Sequence, residues 1–571
     1  MGPIQDRPNF FKNITHNSNS YSVLTILSLT ILLKYLIYIY IYIYIYILIS
    51  GLRKEWCDDA NTTTFIMVSL YHLLYSFLLP LFILVVAIFS KWLFSPSKTL
   101  KNLPPSPGKL PIIGNLHQLG SSPHRSLQAL SKKHGPLMLL HFGRVPVVVA
   151  SSADASREIM KTHDLIFANR AKSSVPSILS YNARDIAFAD YGEYWRQIKS
   201  IAVLQLLSQK RVQSFRRMRE EETDLLVERI IEIGCSSSPV VNMSELLISL
   251  TNGVICRSAL GRKHGGENFK ELFVHFVELL GVFSVGDYIP WLSWVDRLNG
   301  YDVRAVKVAA EFDAFLEGVI EEHVERKKRT SGDCSNDDEK DFVDILLDIQ
   351  NQKDASFVLD RDTVKALILD VFTGGTDTTY STLEWELSEL LRNPHAMKKL
   401  QEEVREVAKG KPKITEDDLD QMLYLKAVVK ETFRMHTPLP LLVPRESTKD
   451  VKVMGYDIAA GTQVLINAWA VGRDPCSWDE PEQFRPERFL DSPIDYKGFH
   501  FELTPFGAGR RKCPGIQFAM NVNELVLASL VHRFDFELPD AQKWEDLDMS
   551  ETTGITIHKK LPLLVVATPY V

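Results

Sequence analysis

No two of the six cysteines are spaced as CxxC; Cys57, Cys235, Cys256, Cys334, Cys476 and Cys513 are scattered along the chain. That spacing excludes a zinc ribbon and a thioredoxin-type redox site, and so sparse a set suits a reducing compartment. The 571 residues contain no long basic tract, and their net charge is −6, so nucleic-acid binding is not signalled. There is no 20–50-residue repeat of the solenoid kind. Nor does a small-residue cleavage site follow the N-terminal apolar segments, so a cleaved signal peptide fits them poorly.

Charge is also absent from "MVSLYHLLYSFLLPLFILVVAIFS", Met67 to Ser90. About 20 apolar residues cross a bilayer as a helix, so this run is long enough for a transmembrane anchor. Lys91, Lys98 and Lys101 follow it, and the positive-inside rule puts everything after Lys91 in the cytosol. An earlier apolar run holds "IYIYIYIYIYI", Ile37 to Ile47. Its strict alternation is strand-like, yet no partner edge is evident. An AT dinucleotide repeat would translate in this way. Residues 1–66 therefore read as a low-complexity upstream extension, with translation starting at Met67. Residues 91–110 are basic and proline-rich; Pro104, Pro105 and Pro107 favour a stiff extended path, as a hinge or as a spacer. Residues 111–571 read as one large domain, mainly α with small β-sheets. Leu137 to Ser152 has the pattern of a hairpin turning at Gly143. Arg211 to Ile233 is helical, and the charged stretch Glu325 to Asp341 is an exposed loop.

The stretch with most chemistry in it is "PFGAGRRKCPG", Pro505 to Gly515. A loop of this kind can hold a thiolate at a helix N-terminus, where the dipole and nearby N–H groups favour negative charge. Taken alone, such a cysteine is a redox sensor or an inert packing residue. The spacing Phe506-x-x-Gly509-x-Arg511-x-Cys513-x-Gly515 resembles the haem-ligand loop of the cytochrome P450 family. The resemblance implies that Cys513 supplies an axial thiolate to the iron of haem b. Phe506 would pack near the sulfur, Gly509 and Gly515 would let the backbone pass close to the porphyrin, and Arg511 would pair with a propionate. A thiolate donates electron density that favours O–O cleavage.

Other motifs follow in the family's order. "ALILDVFTGGTDTTYSTLEWELSELL", Ala366 to Leu391, is a long helical pattern. Gly374 and Gly375 lie inside it, each at a cost of about 1 kcal/mol relative to Ala, so something is expected to approach the backbone there. The family usually has Ala-Gly at this point. By resemblance, Asp377 and Thr378 would deliver protons to bound dioxygen; on the residues alone, Thr378 would bond back to the carbonyl four residues earlier. Glu431 and Arg434 of "KETFR" sit at i,i+3, which is usually a surface pair of little worth. The resemblance makes them a buried structural triad with Arg488. Trp195 and Arg196 of "EYWRQIKS" would meet a propionate, with Lys199 where the family commonly has a second arginine. Arg445 is a further propionate candidate. Leu441, Leu442 and Val443 are either ordinary core or substrate-lining.

The resemblance runs from Met67 to Val571. It is closest to plant membrane-anchored monooxygenases of specialised metabolism, of the menthofuran synthase and psoralen synthase type. It implies oxygen insertion into a small apolar terpenoid or coumarin/phenylpropanoid. Electrons would come from NADPH through NADPH–cytochrome P450 reductase, docking near Arg510, Arg511 and Lys512, with cytochrome b5 as a further donor. The place implied is the endoplasmic reticulum membrane, with a single-pass anchor among membrane lipid. Two other classes stand beside this one. A haem-thiolate isomerase or dehydratase acting on a hydroperoxide would need neither O₂ nor reductase, but the intact Asp377–Thr378 pair and Cys513 loop argue against it. A non-enzymatic membrane protein that keeps the fold would be marked by failure to bind haem.

Overall fold

The computed structural model describes residues 78–84, 102–235, 239–263, 267–329, 340–352, 359–539 and 542–570. The expected extension over residues 1–66 lies outside them, as does most of the expected anchor. Within the anchor, residues 78–84 are helical and exposed. No single helix among the described residues is long and apolar enough to cross a membrane.

The folded body is mainly helical. Its axis is one 32-residue helix, Arg361–Arg392. Asp360 caps its start by accepting the Thr363 N–H at 2.9 Å, which satisfies one of the orphan donors of a helix N-terminus. Its end falls just before Pro394, because the residue preceding a proline is pushed out of the helical region. Nearly every side chain from Ser381 to Leu391 is buried, as expected for a helix surrounded by protein. The helices Met243–Leu260, Leu423–Met435 and Ile516–Arg533 pack around it and share one apolar core. The helical stretch expected over Arg211–Ile233 is two helices, Gln209–Ser214 and Arg216–Gly234. The break is at Phe215, whose ring packs edge-on to Phe342 at 5.3 Å.

Among the described residues there are ten short strands: β1 Leu137–Phe142, β2 Val145–Ala150, β3 Asn169–Arg170, β4 Val240–Asn242, β5 Arg445–Glu446, β6 Val451–Val453, β7 Tyr456–Ile458, β8 Gln463–Ile466, β9 Phe534–Glu537 and β10 Leu564–Pro569. The largest sheet has the order β1-β2-β8-β5-β3. Its β1–β2 hairpin turns at Gly143, which adopts φ +55°, as the sequence suggests. Strand side chains alternate between faces: Met138, Leu140, Val147 and Val149 enter one small core, and Leu137, Leu139, Val148 and Ala150 another. β3 and β5 matter most for the site, since they carry Arg170 and Arg445 side by side in register.

The proline-rich segment is fastened down over its described part. The Leu139 N–H donates to the Pro105 carbonyl at 2.9 Å, the Asp457 N–H donates to the Asn102 carbonyl, and the Asn102 N–H donates to the Asp457 carboxylate at 3.1 Å. From Asn102 onward the segment is hydrogen-bonded to the body. Of the charged stretch Glu325–Asp341, the first residues prolong the helix Tyr301–Arg329; residues 330–339 lie outside the described set.

Candidate active site

A cavity of about 320 Å³ lies where the central helix, the Cys513 loop and the segment leading into β5 converge. The loop is shaped by two left-handed glycines, Gly507 at φ +64° and Gly509 at φ +68°. The Cys513 N–H donates to the Phe506 carbonyl at 3.0 Å, closing the loop on itself. Gly515 then begins the helix Ile516–Arg533. The thiol thus sits at a helix N-terminus on the cavity wall. Burial pushes its pKa up, and the Gly515 N–H, Lys199 and Lys512 draw it back only in part. A metal ion bound there would deprotonate the thiol outright. Phe506 is held at the cavity by Phe433 and Tyr496, at 5.1 and 5.8 Å between ring centres.

Around the same cavity three guanidinium groups are buried together: Arg170, Arg445 and Arg511. Burial holds Arg445 and Arg511 down at about 10, and Arg445 adds repulsion on Arg511. Burial and the other two arginines lower Arg170 as well. Each is steadied by carbonyl acceptors. Arg511 bonds to Ala168, Ile186 and Ala189, Arg170 to Ala187 and Val443, and Arg445 to Ala508. A guanidinium carries five N–H donors, so donors remain on each. Asp164 approaches Arg445 at 3.7 Å. Burial raises Asp185 to about 7 and also raises Asp164, although the arginines pull both back. Crowded buried cations with spare donors fit an anionic ligand, and an apolar cavity with a thiol on its wall fits the rest of a haem.

The expected residues divide. Cys513, Phe506, Arg511, Gly515, Trp195, Arg445, Thr378, Gly374, Gly375, Leu442 and Val443 all line the cavity. Trp195 spends its indole N–H on the Ile186 carbonyl at 3.0 Å and stacks under Arg511 at 4.4 Å, so it acts through that arginine. Arg196 does not reach the cavity; it is exposed beside Tyr191. One residue on from Trp195 is about 100° around the helix, whereas Lys199, four on, shares the inner face. Lys199 lines the cavity, bonds the Lys512 carbonyl at 2.8 Å, and is pushed down by burial to about 8. Leu441 packs away from the cavity against the β1–β2 core. Gly509 does not line the cavity either: a Cβ there would meet the Met160 carbonyl and the Asp164 carboxylate. Gly507 takes the cavity-lining place. Asp377 is buried but turned from the cavity toward His558.

The triad of Glu431, Arg434 and Arg488 assembles as expected. Arg434 grips Glu431 at 2.7 and 2.8 Å, and Arg488 reaches it at 3.0 Å. The two central-helix glycines serve different ends. A Cβ on Gly375 would collide with Ile255, whereas one on Gly374 would meet nothing within 4 Å. Gly374→Ala should therefore stabilise the protein by up to about 1 kcal/mol through helix propensity. Gly375→Ala should cost about 1–3 kcal/mol by overpacking. Thermal midpoints of the two variants would check this; equal shifts of one sign would refute it.

Three contributors lay outside the sequence expectations: Arg170, Asp370 and His558. Asp370 lines the cavity, and its carboxylate accepts the Ile186 N–H at 2.6 Å, pinning the loop that covers the arginines. A lone acid inside the apolar run "ALILDVF" was a usable signal for it. Nothing in the sequence marks Arg170.

The comparisons agree with this geometry. The cytochrome P450 family model matches residues 104–566. The chain is 55% identical to norfluorocurarine oxidase of a Strychnos species, over 86% of this chain and 96% of that protein. It is also 55% identical to psoralen synthase of Ammi majus, over 87% and 98%, and 58% identical to a cytochrome P450 of Prunus mume, over 87% and 97%. A zebra fish cytochrome P450 solved with abiraterone superposes with a TM-score of 0.66 at 26% identity, covering 79% of this chain and all of that one. The chain thus belongs to the cytochrome P450 family of haem-thiolate monooxygenases and stands among plant members of it.

Proposed function

We propose that this enzyme inserts one oxygen atom of O₂ into a small apolar plant metabolite of terpenoid or coumarin/phenylpropanoid type. The observation that carries this is the pairing of two features on one cavity: the Cys513 thiol among buried arginines, and a stretch of largely apolar wall. Leu206, Ile255, Phe276, Leu280, Val371 and Ile555 contribute apolar surface. The hydroxyls beside them are spent on their own helix: Thr373 on Leu369, Thr378 on Gly374 and Thr382 on Thr378, at 2.7–2.9 Å. A substrate entering against these apolar side chains gains by burying carbon. Relatives named psoralen synthase and norfluorocurarine oxidase support the same kind of chemistry.

In this reading Cys513 holds the haem iron, and Arg170, Arg445 and Arg511 hold its carboxylates. When bound, the haem supplies O₂ activation with electrons drawn from NADPH through a flavoprotein reductase. The chain excludes water with its apolar wall and steadies the Cys513 loop with Phe506. The Thr378 hydroxyl, released from Gly374, orders a proton donor toward the cavity. The surface for a reductase is narrower than the sequence suggests. Arg511 is buried, which leaves Arg510 and Lys512. The anchor over residues 67–90 and an endoplasmic reticulum location belong to the same proposal.

The test is isotope incorporation. Membranes carrying the protein with a reductase and NADPH, given a panel of terpenes and coumarins under ¹⁸O₂, should yield a product one labelled oxygen heavier. Turnover of a hydroperoxide without NADPH, and with no label from O₂, would favour the isomerase or dehydratase instead. Thr378→Ala should keep consuming NADPH while releasing several-fold more peroxide per NADPH; unchanged peroxide would remove Thr378 from proton delivery.

A further inference from the structure

Asp377 adjoins Thr378, yet its carboxylate points out of the cavity. Its Oδ1 lies 3.1 Å from the Nε2 of His558. Its Oδ2 is buried and has no hydrogen-bond partner, and the Nδ1 of His558 is in the same condition. The imidazole is held firmly. The Tyr380 ring stacks on it at 5.0 Å and 22°. The preceding carbonyl, that of Ile557, accepts from both Ser381 and Trp385. The His558 side chain keeps 16% of its surface exposed, so it stands between Asp377 and solvent.

We propose that His558 is the proton store that charges Asp377. The proton leaves Nε2 of the imidazolium and bonds to Oδ1 of the carboxylate. Both charges vanish together, and with them the attraction that keeps Asp377 turned away. The neutral carboxyl, with Oδ2 untethered, can then swing toward Thr378 and pass its proton to the cavity. The carboxylate returns to its partner, and His558 takes a proton from solvent. His558 acts through Asp377 and is a positioning residue. This role rests on the reading of the Thr378 wall as the oxygen-handling wall.

The surrounding charges support it. Burial lowers the imidazole pKa, but the charge and hydrogen bond of Asp377, with the charge of Glu384, outweigh this and raise it. Tyr380 gives its hydroxyl to Glu384. Lys559 gives its ammonium to the Asp548 carbonyl, and Glu551 is taken up by His124 and Arg125. Asp377 is thus the acid bonded to the ring.

The experiment compares wild type, His558→Gln and Asp377→Asn as full chains with a reductase, using 7-ethoxycoumarin as probe. Peroxide released per NADPH consumed should rise in the wild type as pH climbs through the His558 pKa. In H558Q it should be high and flat with pH, while the carbon monoxide spectrum is unchanged. A second readout needs no turnover. A pKa raised in the folded state adds stability below the unfolded value, near 6.5, and loses it as pH rises through the folded value. The thermal midpoint of the wild type should therefore exceed that of H558Q at pH 6 and converge with it toward pH 9, and D377N should remove the same pH-dependent part. An H558Q variant that follows the wild type in both readouts overturns the inference. A wild type without a thiolate-haem spectrum instead overturns the underlying reading of the site, and the stability comparison distinguishes the two.

Discussion

Arg434→Met should leave little or no folded haem protein. Arg434 and Glu431 are both fully buried. The guanidinium also reaches the carbonyls of Gly472, Pro481 and Gln483 at 2.6–3.0 Å, so all its donor nitrogens are engaged. Glu431 in turn takes the Arg485 N–H at 2.7 Å and Arg488. Removing one partner of such a pair strands a buried charge and several carbonyls, at roughly 3–5 kcal/mol. Proteins hold only about 5–15 kcal/mol in all. The control is Lys398→Ala, which removes an i,i+4 pair with Glu402 whose side chains are 76% and 65% exposed. Such surface pairs contribute about 0–1 kcal/mol. Denaturant midpoints and haem content of the purified proteins measure the contrast. An Arg434→Met protein as stable as Lys398→Ala would show that the triad is not what pins the chain under the cavity.

Cys513→Ser should reduce oxygenated product to background while leaving the fold intact. The hydroxyl is close in size to the thiol, and Cys513 is not part of the apolar core. The loop around it is set by Gly507, Gly509 and the Phe506–Cys513 backbone bond, none of which involves sulfur. Chemistry and folding are therefore separable at this position. A serine at neutral pH is a neutral alcohol and donates far less electron density to a metal than a thiolate does. Product assays beside far-ultraviolet circular dichroism would check both halves. Retained oxygenation in the serine variant would mean that another residue is the ligand.

Much of this was legible in the sequence because short-range rules determine it. The Glu431–Arg434 pair is read as buried only through the family resemblance, since its spacing alone gives a surface pair; the Cys513 loop and the glycine-containing helix are local patterns whose spacing carries meaning. The hairpin at Gly143 is another. Errors arose where direction or distant partners decide. The motif places Arg196 with Trp195, although a helix turns adjacent residues about 100° apart. Leu441 sits beside Leu442 but faces the β1–β2 core, since Leu442 adopts φ +51° and the chain bends there. The motif places Gly509 at the porphyrin, yet the atoms that forbid a side chain there belong to Met160 and Asp164, some 350 residues away in sequence. Arg170 meets Arg445 only because β3 pairs with β5. His558 meets Asp377 only because the C-terminal segment returns along the central helix. No periodicity in the sequence announces such encounters.

In the proposed reading, Cys513 holds a haem iron as thiolate in this cavity. This is tested most directly by the carbon monoxide difference spectrum of the reduced, membrane-expressed protein beside its Cys513→Ala variant. The wild type should show the red-shifted Soret band of a thiolate haem, and the variant should lack it. The same band in Cys513→Ala, or no haem band in the wild type, would contradict it.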